Sequence, residues 1–541
     1  MLDRIAPPWN ENRVALLVWV IALIGILGSF AFINGSEIAR YPPVSRDEIW
    51  VLSASVKLAE TGTLGSDMFR GFHGADEHFF IALPGYELLQ ALVFRVVGPS
   101  LVAARAVSLA SGMIVIAGVG WLGLRWFGAA AGTLAMLLVA YWQTGLLGYA
   151  SGLPLTTVAN TGRYDASALA LTTLAVVLLD LTITSRRLWL AVACGLACGL
   201  ATLTQFFGVL SLGLALGTML LSTRTRLWRP PLLAGVAGGF ACVVLPYFSW
   251  VALHLENFRG QAVLKEGRTD FFSVSFYLSN LADERLRYRG LWQTEGDLER
   301  VAAALFIALF PAALGLLSWR AWHERRRGDL LLLGWCGIGM LGIALLDGTN
   351  AGLYAIVVWP PAVLAVAAML TMVLRGILQA ERRLVTITAA GLLSAIMALA
   401  LQPGLRTQAD VPRDASQTTS YADLGDALDG AVPRDATVIG SERWWWPLRE
   451  RDYLALTNLW QQWLALNEAG NDVTFTDVMA RNGATLLLTD DVIWGDLINY
   501  GSPLADEVRR WIDDCAELVW STPGGIYGDL QLFRLREDVC A

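Results

Sequence analysis

The sequence predicts a polytopic α-helical membrane protein of about 11–13 spans that ends in a soluble α/β domain. Three observations predict it. First, 55% of the 541 residues are hydrophobic and only 16% are charged, where a soluble domain carries roughly 25% charged residues; mean hydropathy is +0.50. Second, apolar stretches of about 20 residues recur between Arg13 and Gln402, each long enough to cross ~30 Å of hydrocarbon. Third, the chain from Gly404 onward has the mixed composition of ordinary soluble protein. The expected division is therefore a membrane domain over 1–403 and a soluble domain over 404–541.

The first apolar stretch, Val14 to Ile33, follows Arg4 and Arg13. It is longer than the core of a signal peptide and has no small-x-small cleavage site, so it reads as a retained helix. Further spans are expected near 102–124, 130–148, 164–184, 188–204, 206–222, 231–254, 301–319, 329–346, 352–374 and 384–402. Basic residues choose the inside. Arg125, Arg186 and Arg187, then Arg224, Arg226 and Arg229, then Arg320 and Arg325 to Arg327, then Arg375, Arg382 and Arg383 fall together only if residues 81–97 do not cross. That segment is accordingly read as a helix on the outer surface, within a long outer loop 34–101. A second outer loop spans 255–300. Eleven spans then leave the start inside and the tail outside, in a plasma (inner) membrane.

The tail carries 23 acids and 11 bases, a net of −12 against −7 for the whole chain. This acidity argues against nucleic-acid binding. Strands are expected at 437–440, 485–489, 518–521 and 530–535, and a helix at 475–481 stopped by Asn482-Gly483. No phosphate-binding glycine loop is present. Cys194, Cys198, Cys242 and Cys336 lie in apolar stretches as small hydrophobes, while Cys515 and Cys540 could pair in an oxidising compartment. The run Trp444 to Trp446 reads as a membrane-interface anchor rather than a sugar-stacking platform.

Four groups of residues could carry chemistry. Arg46-Asp47-Glu48 follows the first span at the expected outer rim: the acids either cap a helix from Ile49 to Glu60 or supply a general base. Arg163-Tyr164-Asp165 opens a span on the same expected face, where an inward-facing acid is costly unless used. His73, Asp76, Glu77 and His78 precede the surface helix. Together with Asp47, Glu48 and Asp165 they could bind a divalent cation, Zn²⁺ or Mn²⁺ by ligand type, or be solvated loop groups. Arg259, Lys265, Arg268, Arg285, Arg287 and Arg289 lie in the second outer loop, where guanidinium forks suit phosphate oxygens unless Asp283, Glu284 and other acids neutralise them.

In this order and spacing the motifs resemble the GT-C superfamily of lipid-linked-sugar glycosyltransferases. The branch is the one holding protein O-mannosyltransferases, lipid A aminoarabinose transferases and lipopolysaccharide galacturonosyltransferases. Asp47-Glu48 stands where that family has an acidic pair. LPGYELLQALVFRVVGPSLVAAR, from Leu83 to Arg105, resembles its Pro-containing helix and FG-S-x-x-x-x-R turn, with a single Pro84 where the family often has two. LRWFG, from Leu124 to Gly128, resembles its basic turn, and Arg163-Tyr164-Asp165 its R-x-D. Gly195 to Gly208 resembles its Gly-rich paired helices and Leu245 to Gln261 its LPW…F-x-x-Q region.

The resemblance implies a GT-C-like fold and an inverting transferase. Its donor would be a sugar on a polyprenyl phosphate, and its acceptor a hydroxyl of a glycan, lipid or protein on the extracytoplasmic face. It implies Asp47 as base, Glu48 and Asp165 as the groups that position the base or a metal, and loop bases on the leaving phosphate. It leaves metal dependence open. A transporter or flippase of lipid-linked sugars is the alternative; such proteins usually show internal repeats, and none is visible here.

Overall fold

The computed structural model describes residues 13–147, 152–221, 230–265, 270, 273–294, 296–379, 383–468, 470–499 and 503–536. Arg224, Arg226, Arg229, Arg268, Arg382 and Cys540 lie outside them.

The membrane part begins with α1 (Arg13–Ser36), and a short loop leads to α2 (Arg46–Thr61) and α3 (Pro84–Val97). Ser45 accepts a hydrogen bond from the Glu48 backbone N–H, and Gly62 takes a left-handed φ of 80°, so α2 is capped at both ends by the residue types that such positions favour. α3 starts on Pro84 and turns Leu88, Leu89, Leu92, Val96 and Val97 outward. This unpartnered apolar face fits a helix lying at a membrane surface.

Then follow α4 (Leu101–Phe127), α5 (Ala129–Tyr141), the short α6 (Pro154–Ala159), α7 (Tyr164–Ser185), α8 (Leu188–Thr204), α9 (Val209–Leu221) and α10 (Pro230–Leu253). The second long loop holds α11 (Leu255–Ala262) and α12 (Val274–Asp283). α13 (Asp297–Glu324), α14 (Arg327–Leu346), α15 (Trp359–Leu378) and α16 (Arg383–Gln417) complete the bundle. A helix covers part or all of each of the eleven expected spans, and the one expected over 130–148 gives way to non-helical backbone after Tyr141. Among the described residues seven are long and apolar enough to cross a membrane, and α5, α8 and α9 are shorter apolar helices.

Close packing explains the glycines. A Cβ on Gly195 of α8 would lie 2.0 Å from the Val236 carbonyl oxygen of α10, and one on Gly239 of α10 would lie 2.3 Å from the Val192 oxygen of α8. Small residues let two backbones approach where lipid supplies no hydrophobic drive between helices.

The C-terminal part adds α17 (Tyr421–Ala431), β1 (Thr437–Gly440), β2 (Asp452–Ala455), α18 (Leu456–Glu468), α19 (Phe475–Arg481), β3 (Ala484–Thr489), α20 (Asp491–Asn499), α21 (Pro503–Arg510), β4 (Ala516–Pro523) and β5 (Asp529–Leu535). The sheet order is β2-β1-β3-β5-β4. β1 pairs parallel with β2 and β3, and β5 pairs antiparallel with β3 and β4. β2 was not expected: four residues that run straight into α18 leave little alternation to read.

Trp444 and Trp445 are buried, and Trp444 donates from Nε1 to Asp490 at 2.9 Å. The anchor reading of these two is therefore corrected: they fill a core, and only Trp446 is partly exposed. Cys515 is disulfide-bonded.

That core is shared. Val44, Ile49, Leu52 and Val56 pack in one cluster with Phe69, Phe72 and Phe79 of the first loop and with Tyr421, Leu428, Trp444, Tyr527 and Leu532 of the C-terminal part. Asn458 donates to the Arg70 carbonyl at 2.9 Å, and Arg70 pairs with Asp452 at 2.8 Å. Burial alone would raise the Asp452 carboxyl, but its hydrogen bonds from Arg70 and Thr437 hold it below its ordinary range.

Candidate active site

The start of α2, the start of α4 and the start of α7 meet at one end of the bundle. Glu48 and Arg105 are both fully buried there. Arg105 Nε donates to Oε1 at 2.7 Å and Nη2 to Oε2 at 2.8 Å. Arg105 Nη1 reaches the Ile38 carbonyl at 2.9 Å, and the Gly162 N–H donates to Glu48 Oε1 at 2.6 Å. This buried fork pins α2 to α4 and to the turn that precedes α7. Both Glu48 oxygens are thus engaged in holding these elements together.

Asp47, one residue earlier, has a different environment. Arg163 Nη1 donates to its Oδ2 at 2.5 Å, while the same guanidinium's Nε donates to Asp165 Oδ2 at 2.9 Å. Asp165 is fully buried, and its Oδ1 accepts from Gln205 Nε2 at 3.0 Å. Asp47 keeps 49% of its side chain exposed, and its Oδ1 has no hydrogen-bond partner among the described residues. A buried acid thus orients a guanidinium, and the guanidinium orients an open carboxylate. Asp47 and Asp165, apart by more than a hundred residues, belong to one constellation. Gln205 was missed in the sequence; a glutamine between two apolar spans was the available signal.

The other candidates lie elsewhere. The Gln261 side chain, on α11, accepts from the Phe80 N–H at 2.7 Å and donates to the carbonyls of His73 and His78 at 3.1 and 2.7 Å. The His78 ring stacks on His254 with centroids 3.7 Å apart. These histidines tie the first loop to the second. The expected cation site of Asp47, Asp165, His73 and His78 is not assembled: among the described residues no group of three or more His, Cys, Asp or Glu is placed to hold a metal ion. Both Asp165 oxygens are spent on Arg163 and Gln205. The described residues at this site do not fit a metal.

Arg287 is also corrected as a phosphate ligand. It is buried, and donates to Glu284 at 3.0 Å, to Asp347 at 2.6 Å and to the Ala351 and Ile343 carbonyls at 3.0 and 3.3 Å. Its fork is consumed in closing the second loop onto the end of α14. Arg259 and Arg285 are exposed, and Arg46 is half-buried beside Asp47. Lys265 ends a turn at Val263–Lys265, and its side chain is outside the described structure.

This arrangement of bundle and appended sheet is shared with solved structures of other proteins. Among solved structures the chain is similar to ArnT from Cupriavidus metallidurans bound to undecaprenyl phosphate, at a TM-score of 0.60 and 16% identity over 96% of this chain and 98% of that one. It is also similar to the Archaeoglobus fulgidus oligosaccharyltransferase in its apo form, at 0.57 and 13% identity over 98% of this chain and 76% of that one. The archaeal enzyme AglB in complex with an inhibitory peptide and a dolichol-phosphate aligns at 0.51 and 14% identity. No family model matches the chain, and no curated protein matches it.

Proposed function

We propose that the protein is an inverting glycosyltransferase that moves a sugar from a polyprenyl-phosphate carrier to an acceptor hydroxyl at the Asp47 end of the bundle, on the extracytoplasmic face of the inner membrane. The observation that carries this reading is the half-exposed Asp47 carboxylate, held by Arg163 against the buried Asp165. Two of the similar solved structures hold undecaprenyl phosphate or dolichol-phosphate, which supports a lipid-phosphate donor.

Asp47 accepts the proton of the acceptor hydroxyl as its oxygen attacks the anomeric carbon. The bond from that carbon to the phosphate oxygen breaks on the opposite face. Its electrons leave with the lipid phosphate, so the configuration inverts and no soluble nucleotide is needed. Arg163 and Asp165 hold the base in line, which converts a loose encounter into an oriented one. The charge that grows on the leaving phosphate is met by Arg46, next to Asp47 in sequence, and by the bases Arg259, Lys265 and Arg285 of the second loop.

The test is release of polyprenyl phosphate from a panel of polyprenyl-phosphate sugars by purified wild type and Asp47→Asn, with and without chelator. Turnover of one donor, lost at least 10²-fold in the variant and unchanged by chelator, supports the reading and names the sugar. Donor binding without turnover on any donor, unaltered by Asp47→Asn, would replace it with a transporter of lipid-linked sugars.

A further inference from the structure

The opposite end of the bundle holds a second site, unconnected to the transfer chemistry. α4 and α7 run in the same direction from the Asp47 end. Their far ends are joined by Arg125 of α4, which donates to the buried Asp180 of α7 and to Thr184 Oγ1 at 2.8 Å. Beside this pair the ends of α4, α13 and α15 and the turn into α14 line an open pocket of about 540 Å³, the size of a small-ligand pocket. Its wall carries four guanidinium groups, Arg125, Arg320, Arg326 and Arg375, and one carboxylate, Glu324.

The charges do not close on themselves. Arg320 has only 8% of its side chain exposed, yet its ion pairs with Glu324 and Asp329 are 3.8 and 3.5 Å long, well beyond the ~2.7–2.9 Å of a charge-assisted hydrogen bond. Glu324 is taken by Arg326 at 2.6 Å. Arg375 forms no ion pair among the described residues. A nearly buried cation without a close acceptor is costly, and an anion with several oxygens would serve these forks together.

The depth of the pocket says which anion. Trp319 and Trp322, on the same last turns of α13, are 56% and 81% exposed, as expected of indoles at the headgroup level of a bilayer. Basic pockets between spans at this level, on the side where Lys and Arg collect, suit lipid phosphates.

We propose that this pocket binds the phosphate of an anionic membrane phospholipid in the leaflet opposite the Asp47 site, tying α4, α13, α14 and α15 together. The proposal is independent of the transferase reading. The test is native mass spectrometry and thermal melting of the full chain in neutral detergent. The probes are short-chain phosphatidylglycerol, short-chain phosphatidylcholine and inorganic phosphate. The variants are Arg375→Gln, an exposed position without an ion pair, and Arg326→Gln/Arg375→Gln. Phosphatidylglycerol should bind saturably and raise the melting temperature, with affinity about tenfold weaker in the double variant and intermediate in the single one, while phosphatidylcholine does neither. Equal phosphatidylglycerol binding by wild type and either folded variant overturns the site. Inorganic phosphate that stabilises as well as the lipid at equal concentration overturns the lipid as occupant.

Discussion

Glu48 gives both oxygens to Arg105 where neither side chain is exposed, whereas Asp47 beside it gives one oxygen to Arg163 and leaves the other open. The two acids should therefore separate in experiment. Glu48→Gln keeps the shape but leaves the Arg105 cation buried without a counter-charge, and breaking such a pair costs about 3 kcal/mol or more. Thermal melting in detergent should fall by several degrees for Glu48→Gln and stay near wild type for Asp47→Asn, a half-exposed substitution within about 0.5 kcal/mol. A Glu48→Gln protein that melts like wild type would mean that Arg105 finds its stabilisation elsewhere. At this scale the sequence was partly legible. Two acids after the first span and an R-x-D at the start of another are visible as costly residues in costly places. That one acid of the pair is buried under Arg105, and that Arg287 faces inward onto Asp347, depends on which way a side chain turns, and a linear pattern does not record that.

Packing between helices obeys a rule that the residues do display. Gly195 and Gly199 recur at i and i+4 on α8, and both meet α10: a Cβ on Gly199 would lie 2.8 Å from Val243 Cβ, and the one on Gly195 2.0 Å from a backbone oxygen that cannot swing away. Gly195→Ala should thus destabilise by about 1–3 kcal/mol through forced separation of the helices, despite alanine's higher helix propensity. Gly213 on α9 has nothing within 4 Å of its notional Cβ, so Gly213→Ala should be neutral or stabilising by up to about 1 kcal/mol. Melting temperatures of the two variants, measured side by side, decide the matter; equal shifts would show that propensity rather than contact sets the outcome. The same contrast explains what could be read of the elements. Long apolar spans announce themselves through hydropathy, and α19 through its Asn482-Gly483 stop. β2 did not, because its four residues gain their strand conformation from β1 beside them.

The largest-scale feature is one that no local pattern encodes. Tyr527, near the end of the chain, accepts from the Val44 N–H at 3.1 Å, three residues before Asp47 and 483 residues away in sequence. The C-terminal domain is therefore fastened to the segment that leads into Asp47, and its stability bears on how that segment is held. Within that domain Asp490 is fully buried between the Trp444 Nε1–H and the Ile493 N–H, with Arg443 3.7 Å away and Asp491 next in sequence. Burial pushes its carboxyl up to about 6, against the pull of Arg443, from about 3.9 in an unfolded chain. The folded domain consequently takes up a proton that the unfolded chain releases throughout the interval between those values. Its stability from this group is full below about 3.9 and is lost as pH rises through about 6. Arg443 also lies over the Tyr527 ring, 5.0 Å from its centroid, so a change at Asp490 is felt one residue away from the contact with Val44. Unfolding of the full chain in detergent, followed between pH 7.5 and 5, should show the sheet domain gaining stability as the medium is acidified. Asp490→Asn, which removes the charge to be buried while its single Oδ1 keeps an acceptor for one of the two N–H groups, should flatten that gain. A wild-type profile that declines over the same interval, or one that Asp490→Asn leaves unchanged, would show that other carboxylates of this acidic domain govern its response.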